Sequence, residues 1–122
     1  MTVRQIPREV RELVDGRDGG RCQRCGTYTS NRSRHHRKSK GMGGSKLFDT
    51  PQNIVTLCGS GTTGCHGWVE SNRDEAYDLG WLVRRNGRQD PADVHINTYW
   101  GWGLFTADGR FLLTGKPSEV PS

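Results

Sequence analysis

At 122 residues the chain is one domain's worth of sequence, and with 31% hydrophobic residues and 17 glycines it cannot build a large core. A mean hydropathy of -0.81, with no long apolar run, excludes a bilayer-crossing helix. The net charge of +5 is uneven: residues 1–46 hold 12 Lys/Arg against 4 Asp/Glu, and residues 47–122 hold 6 against 9. The first part is therefore the one expected to attract a polyanion by counterion release.

In chain order, the first predicted element is a helix from about Pro7 to Asp15. Pro7 suits the first helical position, where its missing N–H costs nothing, and Val10, Leu13 and Val14 share one narrow face. Gly16, Gly19 and Gly20 are expected to end it, and the helix to pack on the cysteine-bearing part of the chain. Arg21-Cys22-Gln23-Arg24-Cys25-Gly26 has the form of a zinc knuckle, in which two thiolates two residues apart let one turn wrap an ion. Redox chemistry at this Cys-x-x-Cys is disfavoured, because no thioredoxin-like strand–helix pattern surrounds it. From Tyr28 to Lys46 the chain is polar and basic, and Gly41-Met42-Gly43-Gly44-Ser45 reads as a loop.

Thr50-Pro51-Gln52-Asn53 is turn chemistry, and Ile54-Val55-Thr56-Leu57 is a short strand ending at Cys58. Glycines 59, 61 and 64 make the stretch to Cys65 pliable. Cys65-His66 opens a predicted helix with Trp68, Val69, Ala76, Tyr77 and Leu79 as apolar positions and Gly80 as its stop. Beyond it Trp81-Leu82-Val83, Tyr99 to Phe105 and Phe111 to Leu113 read as strands, the last two joined by a hairpin at Ala107-Asp108-Gly109-Arg110. Trp100, Trp102 and Phe105 are expected to pack over the small core, and Lys116 to Ser122 to form a loose tail. The expectation is a single α+β domain over 1–122: a core at about 21–79, an N-terminal helix at about 7–15 and a C-terminal β extension at about 81–115.

With no signal-peptide-like run at the N-terminus, a reducing cytoplasm is the expected setting, where thiolates meet metal rather than each other. Cys22, Cys25, Cys58 and Cys65 then form one tetrahedral zinc site. Four thiolates leave that ion no open position, so the zinc is structural and chemistry must lie with His35, His36 and His66. On an extended backbone His35 and His36 point to opposite faces, so one can ligate a metal while the other faces substrate. Asn53 has amide groups able to orient the base. Glu70, one helical turn after His66, is a further ligand candidate, although a solvated acid is the commoner state of such a residue. Arg34 and Arg37 suit phosphate clamping, with Lys38 and Lys40 as further DNA contacts.

The order Cys22-x-x-Cys25, His35-His36, Pro51-Gln52-Asn53-Ile54-Val55-Thr56-Leu57-Cys58 and Cys65-His66 resembles the HNH endonucleases of the ββα-metal type, in the small zinc-stapled form common in phages. The resemblance spans roughly Arg21 to Leu79. It implies a metal-dependent DNA endonuclease in which His36 is the general base activating water. His35 and His66 would hold one divalent ion, Mg²⁺ or Mn²⁺ ahead of Ni²⁺ or Zn²⁺, and Asn53 would orient the base and brace the loop. The ion would bind the scissile phosphate and assist the leaving 3′ oxygen, giving 3′-OH and 5′-phosphate ends. Duplex DNA is the implied partner, with phage packaging or recombination proteins beside it and no membrane. The alternative is a zinc-stapled basic module that docks DNA without cutting it; such a binder has no need of His35, His36 and His66 together.

Overall fold

The computed structural model describes residues 6–39 and 48–117. The Gly41–Ser45 loop, Lys40 and the tail from residue 118 onward lie outside the described residues. The architecture is small and mixed α+β, with a two-stranded and a three-stranded antiparallel sheet and short helices around them. Among the described residues no helix is long and apolar enough to cross a membrane.

Helix α1 runs Arg8–Asp18, three residues past its predicted end, and stops at Gly19. Gly16 does not break it because tertiary bonds hold the last turn. The Arg17 guanidinium donates to the carbonyls of Pro51 and Ile54, both at 2.6 Å. The buried Asp18 carboxylate accepts from Arg17, from the Gln23 amide at 2.7 Å and from the Thr56 N–H at 3.0 Å. These bonds fasten α1 to the strand that contains Thr56 and outweigh the local cost of one glycine, about 1 kcal/mol.

Strand β1 (Arg32–His36) pairs antiparallel with β2 (Ile54–Cys58), with His35 opposite Val55 and His36 opposite Ile54. The β1 sequence Arg-Ser-Arg-His-His carries no apolar alternation; its extended form comes from the β2 ladder, whose Ile54, Val55 and Leu57 are fully buried. Period-two alternation then buries His35 and leaves His36 half-exposed.

The helix predicted as one piece from Cys65 to Leu79 is two, α2 (Gly64–Ser71) and α3 (Arg73–Asp78). Asn72 interrupts it: its backbone leaves the helical region, and its side-chain amide donates to the Trp68 carbonyl at 2.9 Å. Asn is prone to this competition with the helix ladder. Gly80 ends α3 with φ +83°, and a Cβ there would sit 2.0 Å from the His95 carbonyl oxygen, so only glycine fits.

Trp81-Leu82-Val83 is not a strand of either sheet. It is a buried extended crossing, 1–4% exposed, joined to the end of β1 by a single parallel bridge between Val83 and Lys38. Its side chains seal the core, which also collects Val55, Leu57, Val69, Ile96 and Phe105. The second sheet has three strands, β3 (Ile96–Thr98), β4 (Gly101–Phe105) and β5 (Phe111–Leu113), in that order. The Asp108-Gly109 turn joins β4 and β5 as predicted, whereas Tyr99 and Trp100 lie in the turn before β4. Of the three aromatics expected over the core, Phe105 is buried and Trp102 half-buried; Trp100 is 40% exposed and stacks on Tyr99 and Phe111.

Candidate metal centres and the basic cleft

The four cysteines meet at one corner. Cys22 and Cys25 flank a tight turn closed by the Gly26 N–H to the Cys22 carbonyl at 2.7 Å; Cys58 ends β2 and Cys65 begins α2. All are free thiols, and their sulfurs lie within 4.8 Å of one another. Cys25 and Cys58 sulfurs are 3.9 Å apart, close to the roughly 3.8 Å edge of a tetrahedron with 2.3 Å zinc–sulfur bonds. The long stretch between Cys58 and Cys65 does not distort the corner. It folds into a compact turn in which Ser60 and Thr63 exchange backbone bonds of 3.1 and 3.2 Å. Gly59 makes that turn possible at φ +82°.

Burial sets the state of the thiols in the absence of an ion. Burial pushes the Cys65 thiol up to about 12, although Arg24 donates to its sulfur at 3.4 Å, and burial also raises Cys22. Burial acts the same way on Cys25, but bonds from the Thr27 hydroxyl and amide outweigh it and bring that thiol down to about 6. A divalent ion supplies the charge that would hold the buried sulfurs as thiolates. The four cysteines are positioned to bind a metal ion such as zinc.

Next to this corner, on the other side of Cys65, opens a cleft of about 400 Å³ lined by Arg34, His35, His36, His66, Glu70, Arg73, Tyr77 and Arg85 among others. The His35 and His66 rings face each other edge-on with centroids 5.1 Å apart. One nitrogen of each, with a Glu70 carboxylate oxygen, forms a group within 4.8 Å that could share an ion. The tautomers follow from the partners. His35 Nε2 lies 2.8 Å from the Trp81 carbonyl, which can only accept, so the lone pair is on Nδ1, 3.9 Å from Glu70 Oε1. The Ser33 hydroxyl donates to the Gly59 carbonyl at 3.1 Å and so accepts from His66 Nδ1 at 2.6 Å, leaving the lone pair of His66 on Nε2. Burial drops His35 to about 4, against the help of the Trp81 carbonyl, and lowers His66 against the pull of Glu70. Both rings are thus neutral at pH 7, the state in which an imidazole can ligate metal.

His36 lines the same cleft from the opposite side of β1 and bonds through Nε2 to Asp49 Oδ1 at 2.9 Å. Asp49 is 4% exposed and is absent from the cleft lining, so its carboxylate sits behind the ring. Asn53 was expected to orient the base and brace the loop; three side-chain bonds do the bracing, and they go to the backbone rather than to His36. Its side chain accepts from the Lys38 N–H at 2.6 Å and donates to the carbonyls of Lys38 and Phe48 at 3.0 and 2.9 Å. It ties the chain leaving β1 to the chain entering β2, while Asp49 is the residue on the imidazole.

Of the expected DNA contacts, Arg37 needs correction. Arg37 is 1% exposed, and its guanidinium donates to the carbonyls of Gly80, Gln52, Pro91 and Val94 at 2.8–3.1 Å. No phosphate can reach a group so enclosed. The Lys38 ammonium is occupied by the carbonyls of Gly87 and Gln89 at 3.1 and 2.9 Å. Arg34 does line the cleft, but forks onto Asp15 at 2.7 and 2.9 Å.

No protein-family model, curated protein or solved structure matches this chain. The site is therefore read from its own geometry. Sequence reasoning passed over Asp49, Ser33, Arg73 and Arg85. One signal was present: His66, Glu70, Arg73 and Tyr77 recur at helical spacings of four, three and four, and although Asn72 divides them between α2 and α3, all four line the cleft.

Proposed function

We propose that the chain is a metal-dependent DNA endonuclease of the HNH type, with a structural zinc at the four cysteines and a second divalent ion at the cleft. The observation that carries this reading is the group His35, His66 and Glu70, whose ligand atoms lie within 4.8 Å of one another, with each ring held by a further partner, the Trp81 carbonyl and the Ser33 hydroxyl. A module that only docks DNA has no use for two neutral, partly buried imidazoles aimed at one point. The run β1–β2–α2, with the cysteine corner at one end and the histidines along it, fits a ββα-metal core.

Two imidazole nitrogens and one carboxylate suit Mn²⁺, Ni²⁺ or Zn²⁺ more closely than Mg²⁺, which favours oxygen. His35 Nδ1, His66 Nε2 and Glu70 would hold the ion, which when bound polarises the scissile phosphate and stabilises the leaving 3′ oxygen. His36, held against Asp49 through Nε2, would take the proton of the attacking water. The water oxygen would bond to phosphorus as the bond to the 3′ oxygen breaks, and the departing oxygen would take a proton from solvent water, leaving 3′-OH and 5′-phosphate ends. Asn53 keeps β1 and the residues behind it in register so that His36 and Asp49 stay opposed.

The test compares wild type and His36→Ala on supercoiled plasmid with Mg²⁺, Mn²⁺, Ni²⁺ or Zn²⁺ added. Conversion to nicked or linear DNA should fall by about 10²–10⁴-fold, with circular dichroism and DNA affinity unchanged. Equal cleavage by the variant removes His36 from its role. A wild-type protein that binds DNA but cuts with none of the four ions leaves the docking module as the better description.

A further inference from the structure

The cleft does not end at Tyr77. A second hollow of about 360 Å³ shares Tyr77 and Arg85 with it and continues over Arg84, Asn86 and Gly87. This hollow lies on the loop after Val83, in the half of the chain whose net charge is negative. Its cations, Arg84 and Arg85, with Arg88 further along the loop, are nevertheless exposed, and among the described residues no carboxylate pairs with any of them. Of the basic residues nearest His36, Arg37 is buried on four carbonyls, Lys38 bonds two carbonyls at the surface and Arg34 pairs with the exposed Asp15.

The loop is also held in place, by two of the four residues expected to touch DNA. Lys38 donates to the carbonyls of Gly87 and Gln89, Arg37 donates to that of Pro91, and the Val83 N–H reaches the Arg37 carbonyl at 2.8 Å. Arg84 lies over the Tyr77 ring at 4.3 Å, and Arg73 donates to the Tyr77 hydroxyl at 3.3 Å and to Glu70 at 2.9 Å. A row of guanidinium groups therefore leads from Glu70 along Arg73 to Arg85 and Arg84, the last two on the pinned loop and without a carboxylate partner among the described residues.

We propose that Arg84 and Arg85, on this pinned loop beside Tyr77, bind backbone phosphates of the DNA strand that enters the cleft, flanking the bond to be cut. The proposal rests on the nuclease reading for the identity of the strand, but its test does not need catalysis. In a zinc-loaded His36→Ala background, binding of a fluorescent DNA duplex is followed by anisotropy across a salt series with no second metal added. Arg84→Ala/Arg85→Ala should weaken binding about tenfold or more at low salt. It should also lower the slope of log affinity against log salt by about 2, the value for two lost phosphate contacts. Arg84→Lys/Arg85→Lys should keep most of the slope, since the charge remains. A charge-matched control, Arg8→Ala/Arg110→Ala, removes two exposed cations remote from the hollow and should leave the slope within about half a unit. In the cutting-competent protein the loop variant should raise KM and keep kcat, the mark of uniform binding.

Loss of equal size in the control overturns the subsite, because net charge alone then explains it. An unchanged slope in the loop variant overturns it while leaving the nuclease reading intact. A loss seen with an RNA hairpin but absent with duplex DNA overturns it in favour of an RNA ligand. Plasmid cleavage that fails in the wild type, with the loop effect on DNA binding still present, sinks the nuclease and spares the subsite.

Discussion

Ser33 decides more than its size implies. Its hydroxyl has one proton, given to the Gly59 carbonyl, and that choice forces His66 to donate from Nδ1 and to keep its lone pair on Nε2. Ser33→Ala should therefore weaken second-metal binding at the cleft by about 10–100-fold, the usual cost of losing the partner of a ligating imidazole. Ser33→Thr, which restores a hydroxyl, should recover much of it. Isothermal titration with Mn²⁺ on the zinc-loaded protein measures this, and an unchanged affinity in the alanine variant would show that His66 is oriented without Ser33. His35 and His66 were legible as candidates because each is adjacent to another chemistry-bearing residue, His36 or Cys65. Ser33 and Asp49 were not, since a serine in a basic run and an acid before a turn carry no signal until the chain is folded.

Among the elements, the segment most misread was the exit from β1. Arg37 follows two histidines in a basic run, and its chain position gives no hint that its side chain points inward. The carbonyls that receive it come from residues 15 to 57 positions away, a separation no local pattern can show. Burial, with the charge of Arg17 adding to it, brings this guanidinium down to about 9, so it remains a cation at pH 7 with only neutral acceptors around it. Phe105 is shared by both arginines, 3.7 Å from Arg17 and 5.8 Å from Arg37. Arg37→Met would fill part of the volume but strand four buried acceptors. It should destabilise the fold by about 3–5 kcal/mol, several times an ordinary surface change. Chemical denaturation reads the loss, and a variant within about 1 kcal/mol of wild type would mean that water reaches those carbonyls. The break at Asn72 escaped notice for a related reason: apolar spacing continues through it, and only the side-chain bond to Trp68 shows where the helix yields.

At the level of the whole molecule, the ten buried residues of the main apolar cluster include two of the four cysteines, Cys22 and Cys65. The core and the metal corner are thus one structure. A structural zinc contributes on the order of 10 kcal/mol to folding, comparable with the entire stability of a small domain. Chelating the zinc, or making Cys25→Ser, should abolish the cooperative melt seen by circular dichroism, and elemental analysis of the native protein should give about one zinc per chain before a second metal is added. A melt that does not shift on chelation would remove zinc from the architecture. The mixed α+β class was readable because cysteine spacing, a β-branched run and amphipathic spacing each carry their own physics. The three-residue strand Ile96–Thr98 was not, being too short to show a period.

Cys65 and His66 are consecutive residues, and Cys58 precedes the Gly59 carbonyl that fixes the Ser33 hydroxyl. Whatever loosens the sulfur corner, whether an oxidant or a competing soft ion, reaches the imidazole within a single peptide unit on one side and one hydroxyl on the other. The sulfur corner and the imidazole cluster are thus mechanically one: a displacement at the first is passed to the second through a single peptide unit.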